Sequence, residues 1–238
     1  MQSDTLRGAI YGILAASIWG NMYVVSDVVL QVIPPFTLLT LRVALGLVVL
    51  LVVYIPTQGI PHLPRAMIPN LLLVGVVGFG VSLGAQFIGT DKSTAVNGAL
   101  VTSASPAFIV LFAVLMLREK LTLMRFIAII LASIGVLVIL DPAQADFSSE
   151  TFVGDMFLAV AAVSWGLYSV LVRRVSTQSP INTTLVTIVC FVGGLIFSIP
   201  ASIIELGSRP IGVVDAGVVL GVLYLGIVST AVAMWLWN

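Results

Sequence analysis

Apolar runs of bilayer length, separated by short polar breaks, fill almost the whole chain. A crossing needs about 20 mostly apolar residues. Eight stretches meet that length, approximately 8–33, 36–54, 66–89, 95–117, 122–140, 153–172, 183–204 and 212–237, and each is predicted to be a helix. The breaks have turn chemistry. "IPPF" (33–36) and "QSPIN" (178–182) are proline turns, while "PTQGIPHLPR" (56–65) and "ELGSRP" (205–210) are polar or Pro/Gly loops. The polar stretch "DPAQADFSSE" (141–150) is the longest connection and the natural boundary between two halves.

Composition explains why the runs are continuous rather than amphipathic. Of 238 residues, 60% are hydrophobic and 8% charged, too few charges to cover a water-exposed surface. In lipid, helices that satisfy their own backbone are the stable alternative. Lys and Arg in alternate loops then set the orientation. Arg7, Arg65, Arg118, Lys120, Arg125, Arg173 and Arg174 fall on one side, Lys92 and Arg209 on the other. The N-terminus is expected in the cytoplasm of a multi-pass protein in the cell (inner or plasma) membrane. "MQSDTLRGAIYG" lacks a small-residue cleavage site, so the first run reads as a retained helix.

A shift of 146 residues superimposes the halves. Ala15-Ala16 lands on Ala161-Ala162, Trp19-Gly20 on Trp165-Gly166, Pro34 on Pro180 and Pro64 on Pro210. Farther on, Gly75 meets Gly221 and Gly80 meets Gly226. Trp, Gly and Pro set helix contacts and turns, so these pairs carry more weight than chance Val or Leu matches. One period holds five spans, an odd number, so the second copy enters from the opposite face. The fold class this predicts is an all-α, polytopic membrane helix bundle with inverted five-helix repeats. Residues 1–141 form the first repeat, 142–150 an acidic connecting loop, and 151–238 three helices of the second. Inverted repeats are a structural device of secondary transporters, with the substrate site near the midplane where they meet.

In these features the chain resembles the drug/metabolite transporter superfamily, specifically its EamA-type proteins. The residues that carry the resemblance are Trp19-Gly20, Leu41-Arg42, "SASPAFIVLFAVLMLREKL" (103–121) with Pro106 and Glu119, "IGVLVIL" (134–140) and Trp165-Gly166. The resemblance implies ten spans, eight of which are present, and a second repeat ending roughly 48 residues past Asn238. A fragment of a longer protein is the expectation, an eight-span variant the alternative. It further implies a secondary transporter or facilitator, more often an exporter, for small metabolites such as amino acids or aromatic compounds, working by alternating access. A non-transporting scaffold or inactive fragment is the other outcome.

Enzyme chemistry finds little support. One histidine (His62, in a polar loop) and one cysteine (Cys190, in an apolar run) supply no metal cluster, disulfide or Ser-His pairing. There is no P-loop, and no cofactor is implied. The partners expected are the lipid bilayer, a small-molecule substrate and, as one compatible oligomer, a second copy in a homodimer. Balanced charge excludes a nucleic-acid footprint.

Candidate substrate-binding or pore-lining residues are the polar and aromatic groups inside spans. Pro106 cannot donate a backbone hydrogen bond and crowds the carbonyl of Thr102, so a kink or break is predicted there. Its neighbours Asn97, Gly98, Thr102, Ser103 and Ser105 form the most polar face of any span. Either the freed carbonyl contacts substrate or water, or nearby hydroxyls satisfy it. Trp19 and Trp165 lie about 16 Å into their spans, near the bilayer centre. They form an aromatic cage for a flat ligand or anchor helix packing. Asn21, Tyr23, Gln86, Tyr168 and Tyr224 need hydrogen-bond partners, in a substrate or another helix. Asp27 and Arg42 are read at one depth, about 9 Å from the outer boundary, as an ion pair that either gates the vestibule, binds a charged ligand or is structural. Glu119 is expected to tie a helix end to Arg118, Lys120 or Arg125. Gly75, Gly80, Gly84, Gly217, Gly221 and Gly226 are read as close-approach positions between helices.

Overall fold

The computed structural model describes residues 2–59, 63–140, 149–178 and 181–237. His62, Pro180 and almost all of the 142–150 connection lie outside the described residues. The helices are α1 (Gln2–Leu30), α2 (Pro35–Gln58), α3 (Ile68–Gly75), α4 (Leu83–Lys92), α5 (Ala95–Thr102), α6 (Ser105–Leu117), α7 (Leu123–Leu140), α8 (Glu150–Gln178), α9 (Thr183–Ser208), α10 (Ala216–Leu223) and α11 (Ala233–Trp237). Among the described residues, seven helical stretches are long and apolar enough to cross a membrane, and one further apolar helix is shorter over its described part. It covers the span expected over 122–140. That stretch is the apolar helix α7, Leu123–Leu140, which runs up to the last described residue before 141–148.

Two of the crossings contain an irregularity at matching places. α3 runs into α4 through a π-helical segment, Val76–Ser82, and α10 into α11 through another, Tyr224–Val232. The 146-residue shift brings these stretches into partial overlap, with Gly80 on Gly226. A π turn adds a residue to the helical repeat and rotates everything beyond it, and such bulges favour functional sites.

Small residues bring backbones together at the centre. α3 lies so close to α9 that Gly75 sits against the backbone of Cys190 and Gly193 against the carbonyl of Leu72. Gly80, Gly84, Gly221 and Gly226 likewise face Phe197, Phe36, Val29 and Leu45 on other helices. Gly217 does not. Its nearest neighbour is the Asp215 carboxylate that caps its own helix. Phe79, Phe87 and Phe191 are fully buried among these contacts. Cys190 is a core thiol, its Sγ 3.5 Å from the Leu71 carbonyl.

Charged groups tie the ends. At one end Glu119 bridges Arg125 (3.0 Å) and Arg173 (2.7 Å), extending the expected Arg125 contact to a second helix. At the other, the Arg209 guanidinium forks onto Asp91 (2.5 and 2.9 Å) and donates to the Leu30 carbonyl, joining α1, α4 and α9. The hydrogen bond and charge of Asp91 hold the Arg209 pKa above its usual value. Glu205 of α9 accepts from the backbone N–H groups of Phe36 and Thr37, capping α2.

A fourth tie escaped the sequence analysis. Asp155, 5% exposed, takes hydrogen bonds from Ser93 (2.5 Å) and the Asn97 amide (3.1 Å). Bonds to a charged acceptor contribute about 1.5–3 kcal/mol. Asp155→Ala is therefore expected to lower the detergent melting temperature by several degrees. An unchanged melt would mean the cluster adds nothing.

Candidate substrate cavity

The two Trp-Gly motifs meet. Trp19 of α1 and Trp165 of α8 pack edge to face with ring centroids 6.2 Å apart. Trp237 tilts against Trp19 at 5.4 Å, and Phe79 meets Trp165 at 6.0 Å. Between these rings and the broken fourth span lies a cavity of about 360 Å³, within the range of small-molecule sites.

Helix periodicity decides which predicted residues reach it. Trp19 and Tyr23, four residues apart, share a face of α1 and both line the cavity. Asn21 lies two positions from each, about 200° around the helix, and is exposed on the bundle surface. Its predicted lining role is corrected. Gly20, at the cavity edge, has no heavy atom of another element within 4 Å of where a side chain would begin, whereas Gly166 is pressed against Phe108.

Gln86, Thr102, Ser103 and Pro106 also line the cavity. Asn97 does not, because it is held at the end of α5 by Asp155 and Ser93. Tyr168 is buried behind the wall, tilted against Trp165 (4.9 Å) and edge to face with Phe79 (5.1 Å). Tyr224 points its hydroxyl at the Ile18 carbonyl (3.4 Å), tying the second π segment to α1.

The fourth span breaks where proline requires it. α5 ends at Thr102 and α6 starts at Ser105. The Thr102 carbonyl is not left for a ligand, since the Ser105 hydroxyl donates to it at 2.6 Å. Of the two readings of this carbonyl, satisfaction by a neighbouring hydroxyl is the one realised.

Asp27 and Arg42 do not pair. Asp27 is half-buried on α1, while Arg42, 3% exposed, points into the second π segment. Its Nε donates to Thr230 Oγ1 (2.6 Å) and its Nη2 to Ser229 Oγ (3.3 Å). The guanidinium carbon sits 5.5 Å from the Phe87 ring centre. Depth along the two helices matched, but the facing sides did not. The π turn explains the partner chosen, because it swings Ser229 and Thr230 toward α2. Thr230 passes its own proton to the Leu225 carbonyl (2.7 Å), five residues back, and so stays an acceptor for Arg42.

Sequence reasoning missed Phe79, Ser82, Ser229, Thr230, Met234 and Trp237 as wall residues. The 146-residue shift held a partial signal for the second π segment, since its first five residues map into Val76–Ser82.

Comparison with known proteins places these features among others. The model of the EamA-like transporter family matches residues 6–141 and 152–238. The uncharacterized transporter YyaM of Bacillus subtilis (strain 168) is 30% identical over 72% of this chain and 58% of its own length. YetK, another uncharacterized transporter of that organism, is 26% identical over 97% of this chain and 70% of its own. A "Probable amino-acid metabolite efflux pump" of Salmonella typhimurium is 26% identical over 95% of this chain and 75% of its own. The chain thus spans 58% to 75% of these relatives' lengths. A solved crystal structure, 21% identical, shares the fold with a TM-score of 0.69, over 97% of this chain and 77% of that one.

Proposed function

Because the chain belongs to the EamA-like transporter family and is a multi-pass membrane protein, we propose that it moves small metabolites, amino acids or aromatic compounds, outward through the Trp19–Trp165 cavity. The observation that carries this reading is the position of that cavity. Its aromatic walls come from equivalent places in the two halves of the sequence, where a rocking motion between halves would expose it to each side in turn.

On this reading residues 1–141 and 151–238 are the moving units and 142–150 their link. The Lys/Arg asymmetry supports a cytoplasmic N-terminus in the cell membrane. The Salmonella relative's name supports amino-acid metabolites as first substrates to try. Family and relatives point to a transporter rather than an enzyme.

The test is counterflow in proteoliposomes of the full chain preloaded with phenylalanine, tryptophan or leucine. Labelled substrate is expected to accumulate at least several-fold above protein-free vesicles. Flux at the protein-free level across a broad panel of amino acids and aromatic metabolites would instead favour a non-transporting scaffold.

A further inference from the structure

Hydrogen bonds around the cavity leave an unbalanced positive charge. The wall hydroxyls are largely committed: Ser82 donates to the Ala161 carbonyl, Thr102 to Gly98, Ser103 to Leu100, Ser105 to Thr102 and Thr230 to Leu225. Trp19 gives its indole N–H to the Ser229 carbonyl at 3.1 Å. Arg42 is the single charged side chain among the described residues of the wall, and no carboxylate shares the wall with it.

Its guanidinium is hydrogen-bonded along one edge, and the other edge is buried with Nη1 unpartnered. Nε and Nη2 are held by Thr230 and Ser229, and Phe87 lies against the group. A guanidinium has five N–H donors and no acceptor. The unused donors of Nη1 and Nη2 lie on one edge, in the spacing that fits the two oxygens of a carboxylate. A charge this deep in a membrane bundle ordinarily has a partner or a ligand.

We propose that Arg42 anchors the carboxylate of a ligand whose flat apolar part packs in the cavity against the wall formed by Trp19 and Trp165. The ligand class is a small aromatic carboxylate, with the negative charge as the recognised element. This rests on the cavity being the substrate site. The second π segment acts as the cradle: by presenting Ser229 and Thr230 to α2 it sets the plane of the guanidinium without neutralising it.

The test compares isosteric ligands on the full chain in lipid nanodiscs by titration calorimetry. The probes are 3-phenylpropanoate and its primary amide, which differ in charge but scarcely in shape. The carboxylate is expected to bind about 10- to 100-fold more tightly, the range of a charge-assisted, two-pronged contact. Arg42→Gln is expected to bring the two probes to parity, and Arg42→Lys to keep part of the preference. Equal affinities in the unmodified protein, binding of neither probe, or a preference that survives Arg42→Gln would overturn the proposal. The unmodified comparison stands even where Arg42→Gln does not fold. Vesicle flux separates the two claims. Charge-selective binding without flux sinks the transport reading and keeps the anchor, whereas equal binding and flux of both probes keeps transport and removes the anchor.

Discussion

Gly75→Val is expected to abolish the stably folded protein. At this position α3 and α9 touch backbone to backbone: an added Cβ would run into the Cys190 carbonyl oxygen and Cα, and across the same contact Gly193 is closed off by the Leu72 carbonyl. Overpacking usually costs about 1–3 kcal/mol, because side chains can rotate away. Main chain cannot, so the helices must separate. In lipid their association depends on such close packing rather than on a hydrophobic drive, and separation also uncouples the buried Phe79–Phe191 contact at 4.5 Å. The expected result is loss of the monodisperse peak in size-exclusion chromatography. Gly20→Ala is the control, since nothing stands within 4 Å of that position and alanine is the better helix former by about 0.8–1.0 kcal/mol. A Gly75→Val protein that melts like the unmodified one would show that α3 and α9 are not in contact.

Trp165→Ala is expected to cut substrate flux at least tenfold while leaving membrane insertion intact. The indole is the meeting point of the wall, packed edge to face on Trp19 and Phe79 and tilted on Tyr168. A tenfold effect corresponds to about 1.4 kcal/mol, comparable with one aromatic contact at about 0.5–1.5 kcal/mol beyond its buried area. Stability should fall by less than the roughly 3–5 kcal/mol of a fully buried tryptophan, because this one is half-buried. Trp165→Phe keeps a ring in place and is expected to recover much of the flux. Flux and melting temperature falling together in both variants would reassign the ring to packing. Trp19 needs the milder substitution from the start. Removing its indole also takes a donor from the Ser229 carbonyl, in the segment that holds Arg42.

The two outcomes probe different layers of the molecule. Gly75 is a contact between main chains, and its replacement is read in folding alone. Trp165 faces the cavity, and its replacement is read in transport. Asp155 belongs to the first class, although it is a charged residue inside an apolar helix. Its carboxylate joins α8 to the α4–α5 turn through Ser93 and Asn97, far from the Trp19–Trp165 contact along both helices. Its position five residues into α8 gave no sign of burial, because acids near a helix N-terminus are ordinarily solvated there.

What the sequence determined by itself follows from the solvent. Lipid offers the backbone no partners, so a crossing segment must be a helix, and its length and polarity are written locally. Hence the crossings, the proline turn between α1 and α2, the break before Pro106 and the opposed Trp motifs could be read from the chain. Side-chain partners could not, since they depend on the angle at which one helix faces another. Asn21 missed the cavity by half a helix turn. The Thr102 carbonyl went to Ser105 because that hydroxyl was three residues away. Arg42 found Thr230 and Ser229 rather than Asp27 because a π turn rotated the last helix past the phase that simple periodicity assigns. Tertiary structure alone decided these, for rotation about a helix axis depends on every residue packed along it.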